Sequence, residues 1–395
     1  MRWDPCILTK QFYWLILPIS CYCLKGGNKI FKKLLPWYLL ALVVLSLAFI
    51  YGCGNATGGG GGGGGGTIQN REGTYNYFGT AASGDAYSWQ ISDEVFIGTN
   101  ETLGITVAGT WKALSSGFSK GTINYATPPI PTGESFYFLE FPNTALMVGT
   151  SGTTDVVVCA AVSAEFPSDG VYGWVRVPYK NIDLSQFNAY GTFEVSGSGG
   201  NPFNYSAQGY RLDETPDTPE SGTLTFSNGT ITNDSVSMKM CVTPSGLFIA
   251  DMGASGGMVG GKVPISFNTL EVYDKELVGV AFQYFPNTSD PSVVQGCAAK
   301  GRSDGSLRAG HFENIETGTA FGSGFDVTET IWINGTPIIP GVYTATGSLD
   351  SGEQTSFKMI ISKTGDAQKL LVFGITTDES DGGKLRVTNF LMKER

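Results

Sequence analysis

Through Ser235–Val242 the apolar residues Val236, Met238, Met240 and Val242 alternate with Ser235, Ser237, Lys239 and Cys241. A period of two sends successive side chains to opposite faces, so the spacing predicts a β-strand with the first set inward and the second facing water. Phe357, Met359 and Ile361 repeat the alternation against Ser356, Lys358 and Ser362. Gly, Asn and Asp punctuate such runs, as in Ser227-Asn228-Gly229 and Ser303-Asp304-Gly305, and supply the tight turns of antiparallel hairpins. Beyond the first 52 residues no stretch carries the 3.6-residue period of a helix.

One pattern occurs three times. It opens with Gly121-Thr122-Ile123, Gly222-Thr223-Leu224 and Gly347-Ser348-Leu349, each preceded by a second mark at Gly109-Thr110-Trp111, Gly209-Tyr210-Arg211 and Gly341-Val342-Tyr343. A strand signature follows at Ser135–Phe138, Ser237–Met240 and Ser356–Met359, then a turn and a partner strand at Leu146–Gly149, Leu247–Ala250 and Leu371–Gly374. A lone meander leaves a bare apolar face, so each unit must close on itself or pack on a neighbour. The expected fold is therefore all-β, with tandem antiparallel meander units, barrel-like or sandwich, near residues 67–165, 166–270 and 271–395. The pattern resembles Gly-rich β-repeats in uncharacterised exported proteins of environmental bacteria, a resemblance that implies no particular activity.

The first 52 residues read differently. Leu34–Tyr51 is an uncharged run of eighteen residues behind Lys25, Lys29, Lys32 and Lys33. A cleaved signal peptide and a permanent transmembrane helix both fit that much. The run ends in Ile50-Tyr51-Gly52-Cys53, which resembles the lipobox of bacterial lipoproteins, although Tyr51 is bulky for its place. The resemblance implies a signal helix removed ahead of Cys53, lipidation of that cysteine and a lipid anchor to the membrane. Gly54 in place of Asp resembles the sorting signal for an outer membrane, with the body on the periplasmic or cell-surface face. Gly58–Gly66 is nine consecutive glycines, a tether over 53–67 that holds the body some ~20 Å from its anchor on average. The apolar patch Phe12–Pro18 is too short to span a bilayer and fits a start assigned too far upstream.

Composition supports an exported β protein: 55 of 395 residues are glycine and only 15% are charged. Charge is split at the end of the leader. Residues 1–52 carry six basic groups and the single acid Asp4, and the remainder carries 19 basic and 34 acidic residues. So acidic a body repels phosphate backbones and argues against nucleic-acid partners.

Candidate chemistry is sparse. His311 is the one histidine, which removes most zinc and triad designs; the residue reads as a surface-strand histidine, with Glu313 and Asp304 near in sequence. Gly253-Ala254-Ser255-Gly256-Gly257 matches a nucleophile elbow, but that motif needs a helix after it and both flanks read as strand. Gly256–Lys262 approaches a phosphate loop, with Val263 where a hydroxyl belongs. Calcium takes oxygen ligands from acidic turns, and two stand out: Asp378, Glu379 and Asp381, and Asp213, Glu214, Asp217 and Glu220. Outside the leader and Cys53, three cysteines remain, Cys159, Cys241 and Cys297. Cys159, within Val156–Val162, reads as a buried inert thiol, with one disulfide and a leftover thiol as the alternative. Trp89, Trp111, Trp174 and Trp332 could stack on sugar rings or belong to the core.

These features predict no catalytic residue and no cofactor. The expected role is a membrane-anchored surface or periplasmic lipoprotein with a non-catalytic binding or envelope-structural task. A polysaccharide hydrolase would need a carboxylate pair about 5 to 10 Å apart. A lipocalin-like carrier of an apolar ligand would need an open cavity.

Overall fold

A computed structural model describes residues 73–395 apart from short stretches such as 163–167, 178–187, 286–292 and 317–328. The leader, Cys53 and the tether lie outside the described residues. Alternating runs separated by left-handed glycines form twenty-four strands among those described, and a 3-10 turn at Thr269–Val272 precedes the last eight. The first eight are β1 (Tyr75–Ala81), β2 (Ala86–Ser92), β3 (Val95–Asn100), β4 (Ile105–Ala113), β5 (Ser119–Ala126), β6 (Ser135–Phe141), β7 (Ala145–Thr150) and β8 (Thr153–Ala161). The next eight are β9 (Gly170–Val177), β10 (Tyr190–Ser196), β11 (Phe203–Tyr210), β12 (Glu220–Ser227), β13 (Thr230–Asn233), β14 (Met238–Val242), β15 (Leu247–Asp251) and β16 (Gly257–Lys262). The last are β17 (Glu276–Tyr284), β18 (Val293–Gly301), β19 (Ser306–His311), β20 (Glu329–Ile333), β21 (Val342–Leu349), β22 (Gln354–Thr364), β23 (Lys369–Ser380) and β24 (Lys384–Glu394).

Each set closes into an antiparallel barrel in which every strand pairs with the next and the eighth returns to the first. Gly79 pairs with Cys159, Val175 with Val259, and Val280 with Leu391 at the three closures. The all-β class and the meander connectivity are those expected, and the barrel alternative is the one adopted. Among the described residues no helix is long and apolar enough to cross a membrane.

The recurrent strand signature marks the same place in each barrel. It falls on the sixth strand, β6, β14 and β22, and its partner on the seventh, β7, β15 and β23. The upstream marks do not keep step: Gly121 and Gly347 stand on fifth strands, whereas Gly222 stands on the fourth strand of its barrel. The cause is β13, a four-residue strand hairpinned to β12 with Ser227 opposite Thr230. It is too short to show an alternation of its own.

The outward face of these strands is not solvent-facing as expected. Leu370 and Val372 of β23 point into the third barrel, while Leu371, Phe373 and Ile375 join a cluster shared by all three barrels. To that hub the first barrel contributes Phe78, Val156 and Val158, and the second Val175, Ile249 and Cys241. A strand buried on both faces reads as a continuous apolar run, as Leu370–Phe373 does. Met240 and Val242 of β14 point into their barrel as predicted, but Cys241 is fully buried in the hub, its Sγ 3.5 Å from the Ala161 carbonyl. Lys239 is half-buried, its ammonium 4.5 Å from the centre of the Phe78 ring. Polar contacts fix the barrels on one another. Asn389 Nδ2 donates to the Arg176 carbonyl at 3.0 Å, Ser362 Oγ to the Lys262 carbonyl at 2.7 Å, and Ser116 Oγ to the Ile315 carbonyl at 2.6 Å.

Candidate functional site

The three interiors are filled differently. In the first barrel Trp89, Phe96, Phe136 and Phe138 interlock, with Phe96 edge-on to Phe136 at 4.9 Å and Trp89 5.5 Å from Phe136. In the second, Tyr172, Phe193 and Phe248 pack at about 6.0 Å, beside a cavity of about 120 Å³. The third barrel places Ala281, Cys297, Ala299, Ala309 and Ala345 inward on four strands. Small side chains on a barrel of the same strand number leave room inside. The result is a cavity of about 330 Å³, a volume at the low end of ligand sites.

The cavity is a cup. Its closed end is plugged by the Thr269–Val272 turn, which Asn268 and Glu271 hold in a capping box. Val272 is fully buried there, and Phe267 lies edge-on to Tyr343 at 5.4 Å. Glycine at 301 is required for this seating, because a Cβ would stand 1.5 Å from the Val272 carbonyl oxygen. The floor above the plug is Cys297, Ala309, Ile331, Phe357, Phe390 and Met392, with the two phenylalanines edge-on at 5.5 Å. Toward the far ends of the strands the lining becomes polar: Gln283, Gln295, His311, Gln354, Arg386 and Thr388. Gln354 is exposed and marks the mouth.

Cys297 and His311 are partners across the β18–β19 ladder. Burial pushes the Cys297 thiol up to about 12. Burial, and then the Arg386 charge, hold the His311 imidazole below its ordinary value. Both groups are thus driven toward neutrality, the reverse of the thiolate and imidazolium of a cysteine nucleophile. His311 Nδ1 is buried with no hydrogen-bond partner among the described residues, while the ring as a whole is half-buried and lines the cup.

His311 therefore lines a cavity and is half-buried, where the sequence suggested a surface strand. Of the acidic turns, Asp378 and Glu379 end β23 opposite Arg386 and Leu385, and Asp381 lies outside the described residues. In the other turn Asp213 Oδ1 accepts from the Thr215 N–H at 3.0 Å, Glu214 pairs with Lys358 at 2.6 Å, and Asp217 accepts from Asn188 at 2.5 Å. Glu220 stands exposed on β12. Among the described residues no group of three or more His, Cys, Asp or Glu is placed to hold a metal ion.

Gly253 and Gly256 shape the β15–β16 hairpin, and Gly256–Lys262 runs into β16, so neither glycine motif opens a helix. Trp89 and Trp174 are buried inside barrels and Trp111 donates its indole N–H to the Ser92 carbonyl at 2.9 Å; Trp332 is 44% exposed. Cys159, Cys241 and Cys297 are buried thiols outside any disulfide, in three different packing environments: the first interior, the hub and the cup. The cup was missed at the level of sequence. Its one legible sign is an alanine at one inward position of each of β17, β18 and β19, Ala281, Ala299 and Ala309, where the first strands of the other barrels carry aromatic rings.

Three closed eight-stranded barrels around a common apolar hub, the third holding the larger of the two cavities described, define a protein of tandem antiparallel β-barrels. No family model matches the chain, and no curated protein matches it. Among solved structures it is similar to a double mutant of the vaccine antigen Transferrin Binding Protein B from Haemophilus parasuis, at 9% identity and a TM-score of 0.29, over 82% of this chain and 76% of that one. Transferrin binding protein B from serogroup B Neisseria meningitidis gives the same identity, score and coverage. A DUF3598-family protein of unknown function from Nostoc punctiforme is similar at 8% identity and a TM-score of 0.19, over 82% of this chain and 95% of that one. Scores this low do not establish a shared fold, and the architecture rests on this chain's own strand pairing.

Proposed function

We propose that this chain is an exported binding protein, held at a bacterial outer membrane through lipid on Cys53, whose third barrel takes up a small molecule without transforming it. The observation that carries the reading is the cup: about 330 Å³, closed at one end, floored by apolar side chains and rimmed by hydrogen-bonding ones. Such a division suits an amphipathic guest, apolar part down and polar part at the mouth. Neutral Cys297 and His311 supply hydrogen bonds and packing rather than a nucleophile. The anchor is read from Ile50-Tyr51-Gly52-Cys53 and the glycine tether behind it.

Methyl NMR on protein labelled at methionine tests the binding reading, because Met392 is in the cup floor while Met147 is in the hub and lines neither cavity. Titration with 3-phenylpropan-1-ol, a neutral amphiphile of suitable size, is expected to shift Met392 saturably and leave Met147 in place. No saturable shift at Met392 overturns the reading.

A further inference from the structure

Resting on the reading of the third barrel as a ligand cup, we infer that its guest is a small amphipathic monocarboxylate, the carboxylate at Arg386 and His311 and the apolar end on Phe357, Phe390 and Met392. Size comes from the cavity. Liquid water takes about 30 Å³ per molecule, so 330 Å³ has room for roughly ten non-hydrogen atoms. Long acyl chains are too large, and a ring or short branched chain bearing one head group fits.

The sign of the head group follows from the charges on the wall. Arg386 is cationic at any working pH, and no Asp or Glu is among the described residues that line the cup. Its field reaches across the mouth, since it contributes to holding His311 unprotonated. A cationic guest would meet the same repulsion as a second proton on His311. A carboxylate meets attraction and a forked donor. Arg386 already interacts within the protein, and Asp378 is its partner in the β23–β24 ladder. The guanidinium has five N–H donors, so the guest's carboxylate is a further acceptor rather than a replacement. His311 lines the same wall as a half-buried ring, and an imidazole in the appropriate tautomer is the second donor.

Orientation follows from solvation. The floor is made of fully or nearly buried side chains, where an ion would lose its water without a counter-charge. At the mouth, Gln354 is exposed and Gln283, Gln295 and Thr388 are half-buried, so a carboxylate there keeps hydrogen bonds on every side. The two edge-on phenylalanines and Met392 below favour an aromatic end, through ring and sulfur contacts.

The test compares 3-phenylpropionate, 3-phenylpropan-1-ol and 3-phenylpropylamine by calorimetry on the intact protein, with Met392 methyl shifts as a second readout. The carboxylate is expected to bind at least about tenfold more tightly than the alcohol, the gain of one charge-assisted pair, and the amine more weakly than either. Arg386→Gln should bring the carboxylate down to the level of the alcohol while leaving the alcohol unchanged. Ala309→Phe, filling the floor, should abolish all three. Its fold is checked by the unshifted Met147 signal, and if that variant fails to fold, Arg386→Gln decides alone. Binding of the alcohol with no preference for the carboxylate, or a preference that survives Arg386→Gln, overturns this inference and leaves the cup reading standing. Binding of none of the three overturns both.

Discussion

The backbone carbonyl of Val272 lies against Gly301, 1.5 Å from where a Cβ on that residue would stand. The plug of the third barrel is thus seated on bare backbone. Gly301→Ala must displace the Thr269–Val272 turn, and an overpacked site of this kind costs roughly 1–3 kcal/mol. Chemical denaturation should show that loss. Because the clash is with main chain, trimming Val272 to Ala in the same protein should not recover it; recovery would locate the conflict in the side chain instead.

Phe373 lies in the hub that joins the barrels. Phe373→Ala should cost about 3–5 kcal/mol, as buried Phe→Ala substitutions do. Trp332→Ala, at a 44% exposed position, should change stability by no more than about 0.5 kcal/mol. Comparable losses in the two variants would mean that the hub is not where these barrels hold together.

Lys393 is 9% exposed, and its ammonium stands 4.7 Å from the centre of the Phe141 ring. Burial, and then Lys369, pull its pKa down from 10.5 to about 8. Below pH 8 the folded protein carries the cost of a buried cation. Between about pH 8 and 10.5 the folded state has released this proton and the unfolded state has not, so this group makes stability rise with pH. Lys393→Met should be more stable than the parent at pH 7 by about 1–3 kcal/mol, a gap that closes as the pH approaches 10.5. Urea melts of both proteins at pH 7, 9 and 10 measure the gap; a constant difference would remove Lys393 from the account.

Cys53 is the predicted site of lipid attachment. Cells expressing the full chain and supplied with labelled palmitate should incorporate label into the parent and not into Cys53→Ala. Equal labelling of the two, or of neither, defeats the anchor.

Much of this fold was legible in the chain. Alternation at Met240 and Val242, and at Phe357, Met359 and Ile361, identified strands and their inward faces, because side-chain direction in a strand depends only on parity. The recurring hairpin proved to be the sixth and seventh strands of every barrel. What failed was the other face. Cys241 was grouped with Ser235 and Lys239 as facing water, yet it is buried, since parity tells which residues share a face and not what covers it. The run Leu370–Phe373 carried the better hint, being apolar at both parities. The cup lay further out of reach. Ala281, Cys297 and Ala309 sit on three different strands, and only barrel closure turns three small residues into one empty volume. His311 was noticed for its uniqueness and misplaced, for the same reason.

Each barrel returns on itself, so none of the three sheets exposes an open ladder of amides and carbonyls. Were the proposed anchor to confine the chain to a lipid layer, this would matter more than in dilute solution, because neighbours there meet constantly and at fixed height. Sheets with open edges would zip together under such crowding. The three closed barrels offer no such edge among the described residues, so edge-to-edge pairing is not a route by which copies held at the proposed anchor would join.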